Sequence, residues 1–181
     1  MHTDTARPEA GTSQAQAAVV LPDTPVGPLH LAASTAGLTH VLFRRRPRPG
    51  PPATPAALRW LDLARRELEA YLAGHLRAFT VPVDLSRVGA PQRRILDALA
   101  GVGYGETVTY GALAAAVGLA GDGARQVGAA MARNPVAIVV PCHRVVGAGG
   151  ALTGYGGGLA AKRWLLDLEA RDRTPQLELP F

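Results

Sequence analysis

The sequence holds a single cysteine, Cys142, in the run Pro141-Cys142-His143-Arg144, directly after five apolar residues at 136–140. A thiolate is a strong nucleophile, and an adjacent imidazole or guanidinium favours its formation because either group can lower the pKa of the thiol. A lone cysteine is more often an inert core residue, and that alternative stays open at this point. The residue types therefore predict either a nucleophilic cysteine or a buried structural one.

The cysteine count also excludes several kinds of site. One thiol cannot form an intramolecular disulfide or a multi-cysteine zinc site, which predicts a reduced, intracellular protein. The glycine-rich stretches at 101–105 and 147–158 lack the spacing of a dinucleotide-binding turn, and the chain has no phosphate-loop motif. We therefore expect no metal and no cofactor.

Targeting and membrane signals are missing from the sequence. The first 18 residues contain no apolar stretch of signal-peptide length, and no run approaches the roughly 18–20 apolar residues that cross a membrane. We expect a cytoplasmic protein that does not bind a membrane.

The charge of the chain is concentrated in its second half. Lys and Arg total 19 against 14 Asp and Glu, a formal net charge of +5. Residues 86–165 hold eight of the basic and three of the acidic side chains, so this stretch alone accounts for the excess. A local excess of positive charge favours a polyanionic partner. The only lysine of the chain, Lys162, lies in this stretch.

The elements that must position the cysteine begin with a small sheet. Three β-like segments, at 19–21, 29–33 and 38–43, are separated by turn residues and predict an antiparallel meander after a mobile tail at 1–18. The proline-rich residues 44–55 predict a loop. Leucines at helical spacing then predict a helix that ends near Gly74, with one apolar face formed by Leu58, Leu61, Ala64, Leu68 and Leu72.

The second half predicts mostly helices. One helix covers 92–102, a second covers 110–117 with Thr109 as its N-cap, and a third covers 124–133 across a glycine-containing turn. The last two have the form of a helix-turn-helix, although hairpins of helices also occur in proteins that never bind DNA. Small residues on the third helix suit either close approach to a nucleic acid or tight helix packing. The apolar run 136–140 predicts a buried strand that ends at the cysteine.

Further residues before and after the cysteine belong to the same pattern. Before it stand Tyr104-Gly105-Glu106-Thr107, Tyr110-Gly111, Arg125 and Asn134-Pro135, and after it stand Gly154-Tyr155, Gly157-Gly158, Lys162, Trp164-Leu165-Leu166 and Glu169. Together with Pro141-Cys142-His143-Arg144-Val145, this set closely resembles the motifs of the methylated-DNA-protein-cysteine methyltransferases, or O6-alkylguanine-DNA alkyltransferases. The resemblance is specific over residues 92–169 and looser over 23–82.

The resemblance implies an α+β fold in two domains. A ribonuclease H-like N-terminal domain, with a small antiparallel sheet and a helix, would cover 19–86. A mostly helical domain of winged helix-turn-helix type, carrying the active-site cysteine, would cover 87–171, with tails at 1–18 and 172–181. Some relatives bind zinc through two Cys and two His in the first domain, which a chain with one cysteine cannot do.

The resemblance also implies catalytic roles. Cys142 is expected to accept the alkyl group, with His143 as its base through a water molecule and Glu169 orienting that imidazole. Asn134 is expected to hold the cysteine turn. Tyr110 is expected to donate its phenolic proton to the guanine as it leaves.

A second group of residues is expected to contact DNA or the damaged base. Backbone groups of Val145 and Gly156 would recognise the edge of the flipped base, with Tyr155 and Lys162 in the same binding region. Arg125 would fill the space that the extruded nucleotide leaves in the stack.

The implied function is DNA repair by stoichiometric transfer of a methyl or other alkyl group from O6-alkylguanine in double-stranded DNA to Cys142, with irreversible self-inactivation. O4-alkylthymine is a further substrate that the sequence leaves open. A monomer is expected. Two alternatives are a non-catalytic alkylated-DNA-binding or regulatory protein of the same fold, which the presence of Cys142 disfavours, and a cysteine hydrolase, which would give Tyr110 and the helix-turn-helix no role.

The last residues suggest one more partner. The segment 176–181, Gln-Leu-Glu-Leu-Pro-Phe, resembles the short peptides through which bacterial DNA-processing proteins bind the sliding clamp. A terminus without a partner is the alternative.

Overall fold

The computed structural model describes residues 17–44 and 53–171, and its N-terminal part (residues 17–85) is built on a three-stranded antiparallel sheet. The strands, in sheet order, are β1 (Ala17–Leu21), β2 (Leu29–Ala33) and β3 (Leu38–Phe43). Strands β2 and β3 have the predicted bounds, whereas β1 begins two residues inside the predicted tail. The rest of that tail, the segment 45–52 and the predicted tail at 172–181 lie outside the described residues.

Helix α1 (Pro55–Leu72) packs against all three strands. Thr54 caps it by accepting a hydrogen bond from the Ala57 N–H at 3.2 Å, and Pro55 occupies the first turn, where no intrahelical N–H is needed. The predicted apolar face is wrong at Leu58, which is 50% exposed. Position 58 points about 100° away from 57 around the helix axis, and the buried face is instead formed by Ala57, Leu61, Ala64, Leu68, Tyr71 and Leu72.

The C-terminal part (residues 90–171) is mostly helical, as predicted. Its helices are α2 (Ala90–Ala100), α3 (Tyr110–Ala116), α4 (Gly123–Ala132) and α5 (Gly158–Arg171). A short parallel pair, β4 (Val108–Thr109) and β5 (Val145–Val146), lies beside them. Thr109 caps α3 as predicted, accepting a hydrogen bond from the Ala112 N–H at 3.1 Å. The molecule therefore has the predicted α+β fold.

Helices α3 and α4 pack closely, as the predicted helix-turn-helix requires. A side chain at Gly123 would place its Cβ 3.1 Å from the Cβ of Ala114, so this glycine serves helix packing. By contrast, Ala124 and Ala129 are exposed and leave the outer face of α4 open to close approach. The small residues of α4 thus serve helix packing at Gly123, and close approach to a nucleic acid stays a prediction for the outer face.

The prediction of a strand at 136–140 is wrong. Only isolated bridges occur there, between Val41 and Val136 and between Ala137 and Val140, because the chain folds back on itself in a tight turn. Ile138 lies inside that turn with a φ of 73°, the only positive φ outside glycine among the described residues. A β-branched residue is strained in this region, and such strain persists only where surrounding contacts enforce it.

The N-terminal sheet continues into this turn. The Val41 N–H donates to the Pro135 carbonyl at 2.9 Å, and the Ala137 N–H donates back to the Val41 carbonyl at 3.1 Å. Strand β3 therefore fixes the segment that leads to the cysteine. None of the helices in the described part of the chain is long and apolar enough to cross a membrane.

Candidate active site

Cys142 begins a 3₁₀ turn (Cys142–Arg144) directly after the folded-back segment. Its backbone N–H donates to the Val140 carbonyl at 2.8 Å. The side chain of Asn134 holds the preceding turn from inside: its Nδ2 donates to the Val140 carbonyl at 2.9 Å, and its Oδ1 accepts from the Val136 N–H at 3.0 Å. The structure thus brings Asn134 and Cys142 together at one buried turn.

The thiol of Cys142 is nearly enclosed, with 6% of the residue exposed. Burial raises the pKa of Cys142, whereas hydrogen bonding to Asn134 and to the backbone of Ile138, and the charge of Lys162, act in the opposite direction. The net effect is a thiol that stays protonated at neutral pH in the DNA-free protein. Reaction at this sulfur therefore requires a base.

His143 lies next to the thiol in sequence and is fully buried. Its Nε2 is 3.0 Å from Oε1 of Glu169, while its Nδ1 has no hydrogen-bond partner among the described residues. Burial lowers the pKa of His143 and outweighs the opposite effect of Glu169, so the imidazole is neutral. The hydrogen-bond pattern assigns the proton to Nε2, which leaves the lone pair on Nδ1.

Glu169, on α5, is the carboxylate around which the site is organised. Besides His143, it accepts hydrogen bonds from Arg144, whose Nη2 is 2.7 Å from Oε1 and whose Nε is 3.0 Å from Oε2. The Gly105 N–H donates to Oε2 at 3.0 Å, and the Tyr71 hydroxyl donates to Oε1 at 2.6 Å. Burial by itself would raise the pKa of Glu169, but the hydrogen bonds from His143, Arg144 and Tyr71 lower it to about 2.

Tyr110 reaches the site through the short parallel strand pair. Strand β4 pairs with β5, which follows the cysteine turn directly, and Tyr110 is the residue after β4. The Thr153 hydroxyl donates to the Tyr110 hydroxyl at 2.9 Å. In this arrangement Tyr110 keeps its own phenolic proton for a second partner.

Lys162 departs from its expected contact with DNA or the base. Its side chain is fully buried, and Nζ donates to the carbonyl of Val145 at 2.6 Å and to that of Thr153 at 3.4 Å. Lys162 therefore joins the strand after the cysteine turn to the loop at 151–157 and does not reach the surface. The Val145 carbonyl keeps a second lone pair with which to contact a base.

The loop that carries Tyr155 and Gly156 rests on the N-terminal sheet. The rings of Phe43, at the end of β3, and Tyr155 meet edge to face with centroids 5.3 Å apart. A Cβ at Gly157 would lie 2.6 Å from Cε1 of Phe43, so only glycine fits there without moving the ring. The Tyr155 hydroxyl is buried without a well-formed hydrogen bond among the described residues, and burial together with the nearby Cys142 raises the pKa of Tyr155.

Arg125 lies apart from these groups, on the exposed face of α4. Its side chain is 84% exposed and lies 3.5 Å from the carboxylate of Asp122. An exposed guanidinium on the second helix of a helix-turn-helix is free to reach a bound nucleic acid.

Sequence reasoning missed three contributors to the site. Arg144 was expected only to favour the thiolate, although it also ion-pairs with Glu169. Tyr71 lies inside the predicted helix but outside its predicted apolar face, and it is far from His143 in sequence, so only the tertiary fold reveals its contact. Phe43 was assigned to a strand without a role in the site. A buried tyrosine needs a hydrogen-bond partner, and that requirement was the one available signal for Tyr71.

Known proteins are similar to this chain over most of its length. Residues 90–171 match the family model described as 6-O-methylguanine DNA methyltransferase, DNA binding domain, and residues 20–85 match the model described as the ribonuclease-like domain of the same family. A methylated-DNA–protein-cysteine methyltransferase of Mycobacterium bovis is 44% identical over 161 residues, which cover 84% of this chain and 92% of the relative. One from Mycolicibacterium paratuberculosis is 45% identical over 163 residues, covering 87% and 94%.

A solved structure is also similar over most of the chain. It is described as Mycobacterium tuberculosis OGT in complex with DNA, and it superposes with a TM-score of 0.74 at 43% identity, covering 89% of this chain and 95% of that one.

Proposed function

The chain belongs to the 6-O-methylguanine DNA methyltransferase family, and from that premise we propose that it repairs DNA by moving the alkyl group of O6-alkylguanine onto Cys142. The observation that carries the proposal is that Cys142 is buried and is followed directly in sequence by a buried, neutral His143, whose Nε2 is 3.0 Å from Glu169 and whose Nδ1 is unpartnered among the described residues. The three side chains supply a nucleophile, a base and an orienting carboxylate.

The transfer is a displacement at carbon. His143 takes the thiol proton at Nδ1 through one water molecule, and the sulfur of Cys142 then attacks the methyl carbon as the bond to O6 breaks. The electron pair of that bond passes to the guanine ring, which takes a proton from the Tyr110 hydroxyl. Glu169 stabilises the imidazolium that forms, as its low pKa allows.

The product explains why the protein acts once. A thioether is not readily hydrolysed, and the sequence offers no second cysteine to displace it. Each protein molecule is therefore consumed by one alkyl group.

Access to the base requires extrusion from the duplex. Duplex DNA hides O6-alkylguanine in the stack, so the base would have to be flipped out towards Tyr110, the Val145 backbone and the loop with Tyr155 and Gly156. Arg125, exposed on α4, would fill the gap that remains.

We propose a monomeric, cytoplasmic protein with domains at 19–86 and 87–171 and no metal or cofactor. We also propose that the segment 176–181 binds the sliding clamp, because Gln, Leu and Phe there match the clamp-binding pattern; deletion of residues 175–181 should then abolish clamp binding. A non-catalytic damage-binding protein is disfavoured, because Cys142, the proposed acceptor, is present in the sequence.

The test is a mass measurement. Mixing the protein with duplex DNA that contains O6-methylguanine should add one methyl group to the protein, and Cys142→Ala should prevent the gain while still binding the DNA. Undamaged duplex DNA is the control. Binding without a gain in mass would contradict alkyl transfer and support a damage-binding protein.

A further inference from the structure

We propose that Tyr71, on α1 of the N-terminal part, is a positioning residue for the transfer, because its hydroxyl holds Glu169 and His143 in the arrangement that makes Nδ1 of His143 the base. The inference rests on the proposed function, although Tyr71 itself is placed by the geometry alone. If so, the N-terminal part contributes to the reaction by positioning the base.

The contacts of Tyr71 define this contribution. Its hydroxyl donates to Oε1 of Glu169 at 2.6 Å, and the hydroxyl oxygen lies 3.3 Å from Nε2 of His143. Nε2 is also 3.0 Å from that same carboxylate oxygen. Two oxygens therefore receive the Nε2–H of His143, which keeps the proton on Nε2 and the lone pair on Nδ1.

The ring of Tyr71 is fixed on both sides. It packs against Phe79 with centroids 5.2 Å apart and against Tyr104 with centroids 6.1 Å apart, and the residue is fully buried. Burial and the neighbouring charge of Glu169 raise the pKa of Tyr71 far above its usual value. The hydroxyl consequently remains a protonated donor wherever the protein is folded.

The hydroxyl acts on His143 mainly through Glu169, because its bond to Oε1 at 2.6 Å is much shorter than its 3.3 Å contact with Nε2. Oε1 of Glu169 divides its negative charge among Tyr71, His143 and Arg144. Without the Tyr71 hydroxyl, more of that charge is available to His143 and the imidazolium is better stabilised. His143 then becomes protonated at higher pH and ceases to act as a base there.

The test is Tyr71→Phe, which keeps the ring and removes only the hydroxyl. With saturating duplex DNA containing O6-methylguanine, the single-turnover rate constant at neutral pH should fall about three- to tenfold, the effect of one lost hydrogen bond. The midpoint of the acid limb of the pH–rate profile should move to higher pH, and the affinity for DNA should not change. Nitrogen-15 spectra of the His143 side chain in DNA-free protein should show the Nε2–H tautomer in the wild type and its partial loss in the variant.

Leu61→Ala is the packing control. It removes a buried side chain from the same face of α1 and keeps the Tyr71 hydroxyl and both of its ring neighbours, so the melting temperature should fall while the acid limb and the nitrogen spectrum stay as in the wild type.

Two results would overturn the proposal. One is an Nδ1–H tautomer in the wild type, and the other is a Tyr71→Phe protein with an unchanged pH profile and nitrogen spectrum. Failure of the wild type to gain a methyl group would refute the proposed function. The nitrogen spectrum is recorded without DNA, so it tests the role of Tyr71 independently of that function.

Discussion

Glu169 shows how a single residue can serve both stability and chemistry. A buried carboxylate is costly unless it is paired and hydrogen-bonded, and here Arg144 binds both of its oxygens while Tyr71 and Gly105 bind one each. These donors keep Glu169 ionised, and an ionised Glu169 fixes the orientation of His143. The residue that orients the base is therefore also a residue that the fold depends on.

Glu169→Gln should change how stability depends on pH. The pKa of Glu169 is about 2 in the folded protein against 4.5 normally, so its contribution is fully present above pH 4.5 and is lost as the pH falls towards 2. The free energy of unfolding from urea titrations should fall more steeply over that window in the wild type than in the variant. At pH 7 the variant should also be less stable by roughly 3–5 kcal/mol, because Arg144 loses its buried partner.

Glu69→Gln provides the matched control for that experiment. Glu69 pairs with Arg65 on the exposed face of α1, where its side chain is 50% accessible. Its replacement should leave the acid dependence as in the wild type. An equal change in both variants would show that Glu169 has no special part in acid stability.

The sequence predicts the residues of the motif, but it does not predict all of the side chains that contact them. Cys142, His143, Asn134 and Glu169 stand at fixed offsets, so a resemblance could point to them. The contact of the Tyr71 hydroxyl depends on how α1 meets α5 in space, and the second role of Arg144 depends on how the turn at 142–144 meets α5. Local pattern encodes neither.

The elements around the cysteine differ in how well sequence predicts them. Strands β2 and β3 were predicted with the observed bounds, because short, mainly apolar segments between turn residues carry a local signal. The apolar run at 136–140 carries the same local signal and yet forms a turn. There the Asn134 side chain hydrogen-bonds to the backbone of Val136 and Val140, as a neighbouring strand otherwise would. Within this segment, only residues 135–137 pair with strand β3.

Gly157 and Phe43 should behave as a coupled pair of positions between two elements. Gly157→Ala would place its Cβ 2.6 Å from the Phe43 ring, which should displace the loop and lower both the melting temperature and the transfer rate. Overpacking of this kind costs about 1–3 kcal/mol. Adding Phe43→Ala to Gly157→Ala should restore part of the loss, and a double-mutant cycle on melting and rate measures the coupling.

Gly154→Ala tests whether any added methyl in this loop has the same effect. No atom lies within 4 Å of a Cβ built at Gly154, so this variant should be close to the wild type. Equal loss in Gly154→Ala and Gly157→Ala would remove the argument from the Phe43 contact.

Across the whole molecule, the N-terminal part contacts the site at three places. Strand β3 pairs with the cysteine turn, α1 supplies the Tyr71 hydroxyl, and Phe43 supports the loop at 151–157. The positive charge at the surface is smaller than the number of basic residues suggests, because Arg144 and Lys162 are buried. Only six of the eight basic side chains between 86 and 165 are therefore available to face DNA.

Arg125→Ala tests the surface that faces DNA. It should weaken binding to duplex DNA and reduce the slope of log affinity against log salt by about one. Arg66→Ala is the matched control, because Arg66 is also an exposed arginine, paired with Asp62 at 3.1 Å, but on α1. Fluorescence anisotropy at several salt concentrations measures both. Equal losses would place the DNA outside the helix-turn-helix.

The burial of Cys142 also affects how long the unreacted sulfur stays intact before the protein meets damaged DNA. A molecule that is used once has to keep its sulfur intact until damage occurs. With 6% of the residue exposed and the pKa of its thiol raised by burial, the sulfur presents little thiolate to dissolved peroxides or electrophiles. The packing that makes a base necessary for the reaction therefore also protects the unreacted thiol, so that the protein keeps its capacity for repair until damage occurs.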